Sequence, residues 1–380
     1  LKLKLLKESR ASAPQSGAAS MAKAQDFIKG WPHPELLQGT ELREALVQSF
    51  TKGIERSQEA LNYGDKANGA YMLGHPAFRQ ALATFLEDQY GLPVDPKTLM
   101  STAGASMGTD IACRVHCKAG DIAVVEEPTY YLSFTMIRDR GMSLMGVPIE
   151  KDGMDIDALE KLLKENPGKI KMVYTVAVHH NPTGYTMSDT KRKRLVALAQ
   201  EHDFMICADE AYQLLNFEPV NVKPMFYYDD PANPKVLSIG TFSKLIGPGV
   251  KVGWIQAHEK LLKPLTNIGF VDSGNNPVIF SSCNLIHFLE SGALKKHISM
   301  VSQDLGSRCA LICKKLREVG LEVDQPKGGY FVWVKSKGKM TGRSGECMCI
   351  AKDRFHDWMR LCFCWLSVEQ LEEGIEFLRQ

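Results

Sequence analysis

The chain has 380 residues, 44% of them hydrophobic and 24% charged, with 46 basic against 44 acidic side chains for a formal charge of +2. That length suits one large and one smaller domain rather than a single core, and the balanced charge argues against a nucleic-acid footprint. No apolar run reaches the length of a bilayer-spanning helix, and ten scattered cysteines read as reduced thiols rather than a disulfide framework or a zinc site.

Residues 1–20, LKLKLLKESRASAPQSGAAS, differ from the rest: basic, Ser/Ala-rich, and ending just before Met21. They resemble a mitochondrial presequence only in part, because Arg10 is the sole arginine and Glu8 interrupts. An upstream extension ahead of a start at Met21 is the alternative. A cytoplasmic location is expected, or a mitochondrial one should this segment be a native presequence. The expected organisation is an extension (1–20), an N-terminal segment packing with the small domain (21–61), a large domain (62–257) and a small C-terminal domain (258–380).

From Tyr63 to Ala257, short apolar runs alternate with helical patterns. The runs are Ile122–Val125, Ile170–Val178, Phe204–Ala208, Val236–Ile239 and Val252–Ala257, with helices predicted over Asp157–Lys164 and Lys191–Glu201. Continuous β-rich runs separated by helices predict an α/β fold with a mostly parallel sheet covered on both faces. Ligands of such sheets sit beyond the carboxyl ends of the strands. Farther on, Ile298, Val301, Leu305, Cys309, Ile312, Leu316 and Val319 form a stripe on one long helix stopped by Gly320, and Tyr330–Val334 reads as a strand. This is the pattern of a smaller α+β domain.

The chemistry-bearing residues cluster where the apolar runs end. Ile170–Val178 leads to Asn181-Pro182-Thr183-Gly184, Phe204–Ala208 to Asp209 and Tyr212, and Val236–Ile239 to Thr241-Phe242-Ser243-Lys244, then Lys251. A ligand with a pyridinium nitrogen, a phenolate oxygen, an aldehyde and a phosphate would use all of them. Such a ligand is pyridoxal 5′-phosphate (PLP). Lys244 would form the imine and shuttle the substrate Cα proton, and Asp209 would keep the ring nitrogen protonated. Asn181 and Tyr212 would bond the phenolate. Thr241, Ser243, Lys251 and the backbone N–H groups of Ala105 and Ser106 would hold the phosphate.

In order and spacing these stretches resemble the class I/II aminotransferases of PLP fold type I, over nearly the whole chain from Gly30-Trp31-Pro32 to Leu371–Gly374. The resemblance implies further roles. Tyr130, in Glu127-Pro128-Thr129-Tyr130, is similar to the aromatic that stacks on the cofactor ring. Arg360 is similar to the arginine that grips the substrate α-carboxylate, with Gly30 and Asn181 beside it. Tyr63, or Tyr71 beyond an insertion-like stretch, is similar to the tyrosine that reaches a neighbouring subunit's phosphate, implying a homodimer. Two departures are Lys251 where the family usually has arginine, and Ala177 where a proline is usual. The wording around Asn181 and in Lys327-Gly-Gly-Tyr-Phe resembles the 2-aminoadipate-, kynurenine- and aromatic-type branch, with 2-oxoglutarate a usual acceptor. The activity implied is ping-pong transfer of an amino group from an L-amino acid to a 2-oxo acid.

Four other readings compete. A fold type I lyase or cyclising synthase would share nearly every residue. A serine hydrolase would use Ser106 in Gly104-Ala105-Ser106-Met107-Gly108, but it lacks an apolar strand before the serine and an oxyanion-hole loop upstream. A PLP-fold sensor would need a DNA-binding module before the fold. A dinucleotide fold fails on glycine spacing at Gly247, Gly249 and Gly253.

Overall fold

The computed structural model describes residues 26–55, 57–63, 70–219 and 222–379; the extension at 1–20 lies outside them. Eight strands form one sheet: β1 (Leu99–Thr102), β2 (Ile122–Glu127), β3 (Ser143–Glu150), β4 (Gly153–Met154), β5 (Ile170–Thr175), β6 (Met205–Asp209), β7 (Val236–Thr241) and β8 (Gly253–Gln256). Their order is β1-β8-β7-β6-β5-β2-β3-β4. Pairs β3–β2–β5–β6–β7 are parallel. The run at 252–257, expected within the parallel set, instead forms β8 antiparallel to both β7 and β1. Its preceding connection is only the short loop carrying Lys244 and Lys251, which leaves no room for a crossover helix.

Alternation along each strand builds two cores. Met172 and Tyr174 of β5, Met205 and Cys207 of β6, and Ala123 and Val125 of β2 point into one, with Ile111 and Cys113 of the helix Gly104–His116. Val173, Ile206, Ala208 and Val124 point into the other, against Leu159 and Leu163 of the helix Ile156–Glu165 and Leu195 and Leu198 of the helix Asp189–His202. Both faces are therefore covered, which is why these strands read as unbroken apolar runs.

A second sheet holds β9 (Phe331–Lys335), β10 (Arg343–Ser344) and β11 (Trp358–Cys362) in the order β10-β11-β9, all antiparallel. The predicted stripe lies on the helix Ala293–Glu318, where Ile298, Val301, Leu305, Cys309, Ile312 and Leu316 are buried and Gly320 follows with φ +78°. Residues before position 62 pack against this C-terminal part. The Cys362 N–H donates to the Phe27 carbonyl, the Trp31 and Trp365 rings meet edge to face at 5.6 Å, and the Phe288 N–H donates to Ser49 Oγ. Among the described residues, no helix is long and apolar enough to cross a membrane, and all ten cysteines are free.

Arg192, fully buried, ties the helix Asp189–His202 to the loops beyond β5 and β6. It donates to the carbonyls of Met187, Lys223 and Ala177 at 2.9, 3.0 and 2.7 Å, with Glu210 at 3.9 Å. Replacing it (Arg192→Met) strands three carbonyls and a buried acid, so chemical denaturation should show a loss of about 3–5 kcal/mol. A loss well under 1 kcal/mol would contradict this structural role.

Candidate active site

A cavity of about 430 Å³ opens at the carboxyl ends of the parallel strands. Its wall includes Gly30, Ala105, Ser106, Tyr130, Asn181, Asp209, Tyr212, Thr241, Ser243, Lys244, Lys251 and Arg360. Tyr63 and Tyr71, expected to serve a neighbouring subunit's cavity, are not on this wall. Tyr63 is exposed, with its carbonyl accepting from the Asn275 side chain. Asn181 also departs from expectation in how it is carried: β5 ends at Thr175, so Asn181 sits on the following loop rather than at a strand tip.

Lys244 follows β7 by three residues. Its Nζ donates to the Gly30 carbonyl at 2.9 Å and lies 5.9 and 5.7 Å from the ring centres of Tyr212 and Tyr330. Burial among these groups lowers the pKa of its ammonium. Asp209, the last residue of β6, accepts from the Tyr174 hydroxyl at 2.8 Å and from the Ala211 N–H at 3.3 Å. Burial raises its pKa, while those two donors and the charge of Lys244 hold it back. Burial likewise pushes the Tyr130 phenol up to about 12, with Asp209 adding to the effect, and raises Tyr212, so both rings stay neutral.

At the other end, the helix Gly104–His116 begins without a side-chain cap, leaving its first N–H groups for a ligand. A Cβ on Gly104 would lie 3.7 Å from both Thr241 Oγ1 and Ser243 Oγ, and those hydroxyls are 3.0 Å apart. Lys251 reaches the same wall from a left-handed backbone, φ +52°. Unsatisfied N–H groups, two hydroxyls and an ammonium make an anion cradle. The hydrolase reading fails here: no histidine lines the cavity among the described residues. Gly108 of that pentapeptide serves packing instead, since a Cβ there would come within 2.9 Å of Ile239.

Arg360, on β11, donates to Asn181 Oδ1 at 3.0 Å and to the Ile28 carbonyl at 2.6 Å, with its guanidinium 4.2 Å from the centre of the Phe331 ring. Its Nε is buried without a partner. Behind Asn181, His180 Nδ1 meets Thr183 Oγ1 at 3.0 Å, and burial lowers the pKa of His179 to about 4; neither histidine enters the cavity. Sequence reasoning missed Tyr174, Tyr131, Phe331 and Arg343. Tyr174 was hidden inside an apolar strand, and only its alternation with Val173 would have aimed it at the face that meets Asp209.

A fold type I sheet with this constellation defines a PLP-dependent enzyme. A model of the family "Aminotransferase class I and II" matches residues 39–378, and the chain belongs to that family. Aromatic-amino-acid aminotransferase 1 of Thermococcus litoralis is 31% identical over 372 residues, covering 92% of this chain and 86% of that protein. A multiple substrate aminotransferase from Thermococcus profundus superposes with a TM-score of 0.81 at 30% identity, covering 93% and 89% of the two chains. The kynurenine aminotransferase of Pyrococcus horikoshii, solved with PMP, KYN as substrates and KYA as products, gives a TM-score of 0.80 at 27% identity, covering 93% and 89%. The protein is a PLP-dependent aminotransferase that moves an amino group from an L-amino acid to a 2-oxo acid.

Tyr174→Phe removes a donor to a charged acceptor, an interaction worth about 1.5–3 kcal/mol. Asp209 then titrates at higher pH, because its ionised form loses support. The acidic limb of the pH profile of kcat/KM is expected to move upward by about one to two pH units. An unmoved limb would detach Tyr174 from the ionisation of Asp209.

Proposed function

We propose that Lys244 is the covalent anchor and proton carrier, Asp209 the partner of the ring nitrogen, and Arg360 the α-carboxylate clamp of a homodimeric, cytoplasmic aminotransferase. The observation that carries this reading is that half-buried Lys244 and buried Asp209 face one cavity that also holds the anion cradle. When bound, PLP supplies an aldehyde that takes up the amino group and a pyridinium ring that draws electron density from the substrate Cα.

The chain's own residues do the rest. Desolvation favours the neutral amine of Lys244, so its Nζ can accept the Cα proton and deliver one back to Cα in the reverse half-reaction. Asp209, whose carboxylate accepts from Tyr174 and Ala211, would hold the ring proton in place. Tyr130 presents a neutral aromatic face, while Asn181 and Tyr212 border the side of the cavity proposed for the phenolate. Thr241, Ser243, Lys251, Ala105 and Ser106 take the phosphate. The ammonium of Lys251 acts there as a point charge rather than a fork. Arg360, oriented by Asn181 and the Ile28 carbonyl, offers its buried Nε to the carboxylate and so fixes where the Cα–H bond points. Gly30 supplies both a carbonyl for Lys244 and clearance, since a Cβ there would come within 2.9 Å of Phe331.

The exposed Tyr63 supports the dimer: outside its own cavity, it is free to reach the phosphate of a second subunit, with Tyr71 the other candidate. The N-terminal segment to residue 61, a PLP-binding part over 62–257 and a C-terminal part over 258–380 are the proposed divisions. The relatives' aromatic and kynurenine donors suggest the class of amino donor. Lys244→Ala is expected to abolish transamination and the imine absorbance of the holoenzyme while leaving far-ultraviolet circular dichroism unchanged. Transamination retained in this variant would refute the assignment.

A further inference from the structure

The cavity carries a second arginine that none of the roles above uses. Arg343 sits on β10 directly opposite Arg360 on β11, and both side chains line the cavity. Opposed residues of antiparallel strands share a face, with Cβ atoms roughly 4.5–5.5 Å apart. Like charges in that arrangement oppose pairing unless an anion lies between them.

The local sequence, Thr341-Gly342-Arg343-Ser344-Gly345, is shaped to bring this about. A Cβ on Gly342 would come 2.3 Å from the Arg360 carbonyl oxygen, and one on Gly345 would come 2.5 Å from the Trp333 ring. Only with glycines at both ends does this short strand lie flat against β11. The segment after it is fastened to the strand-end loop that bears Tyr130 and Tyr131. The Thr129 N–H donates to the Met348 carbonyl, and buried Glu127 accepts from the Ile350 N–H at 2.6 Å and from Arg354 at 2.7 Å.

Arg343 itself has little to hold. Its guanidinium lies 5.2 Å from the centre of the Tyr131 ring, and its Nε is buried without a partner. None of the ion pairs among the described residues includes it, whereas Lys29, another cation on the cavity wall, pairs with Asp26 and sits over the Trp365 ring. The Arg343 charge is also one of the influences that lower the pKa of Arg360. Two neighbouring guanidinia with spare donors form a receptor for two carboxylates on one short chain.

We propose that Arg343 is a specificity residue that binds the side-chain carboxylate of dicarboxylic amino and 2-oxo acids while Arg360 holds their α-carboxylate. This deepens the reading above and rests on Arg360 as the α-carboxylate clamp. Tyr131 backs the guanidinium, and Leu132 and Met136 line the apolar wall beside it.

The test uses the holoenzyme and two ligands that cannot transaminate: glutarate, with two carboxylates, and butyrate, with one. Isothermal titration calorimetry should show wild-type enzyme preferring glutarate; equal affinities would overturn the proposal without any variant. Arg343→Gln should reduce the glutarate-to-butyrate affinity ratio roughly 10- to 100-fold, and raise the ratio of KM for 2-oxoglutarate to KM for pyruvate in step. Arg343→Lys should recover part of both ratios. A merely structural defect weakens both ligands together and leaves the ratios unmoved, which also overturns the proposal. Arg360→Gln separates the two readings: it should weaken both ligands. Unchanged butyrate binding there would remove Arg360 from the α-carboxylate while the Arg343 comparison stands.

Discussion

Everything in the site depends on two opposite charges taken out of water at one edge of one sheet. Asp209 ends β6 and Lys244 follows β7, the neighbouring parallel strand, so the sheet itself delivers both to the same cavity. Neither is satisfied by the other. The carboxylate leans on Tyr174 and Ala211, and the ammonium on the Gly30 carbonyl. Desolvation pushes the acid up and the base down, which weakens the hold of each group on its charge. A direct ion pair would have pinned both groups in their charged forms and closed the space a cofactor ring needs.

The remaining polar groups divide the cavity by charge. The uncapped start of the helix Gly104–His116, with Thr241, Ser243 and Lys251, makes one positive end. Arg360 and Arg343, contributed by the small sheet, make the other. The small sheet is therefore more than a lid on the large one: β11 brings Arg360 against Asn181 and Ile28, so residues from the N-terminal segment, the large sheet and the small sheet meet at a single guanidinium. Small displacements of the small sheet would be felt directly at that guanidinium.

Much of this was legible in the sequence because buried parallel strands advertise themselves as apolar runs and their ligands bind at their carboxyl ends. Asp209, Lys244, Thr241 and Ser243 could be placed by that rule alone. Arg360 and Tyr130 needed the family resemblance, since nothing in local spacing sets a lone arginine or turn tyrosine apart. What stayed hidden depended on pairing between distant segments. The antiparallel course of β8 follows from a connection too short for a helix, which an apolar run cannot reveal. Tyr174 reads as core until its register against β6 is known. Arg343 lies in a stretch that looks like a polar loop, and only its register against β11 turns it into a neighbour of Arg360. Tyr63 shows the converse limit, because a residue proposed to act in another subunit gains no partner in its own cavity.

The central claim is the bond between Lys244 and the cofactor. Borohydride reduction of the holoenzyme fixes that linkage irreversibly, and proteolysis with tandem mass spectrometry then locates it. The account requires a single phosphopyridoxyl adduct on Lys244. An adduct confined to any other lysine, Lys251 included, would contradict it.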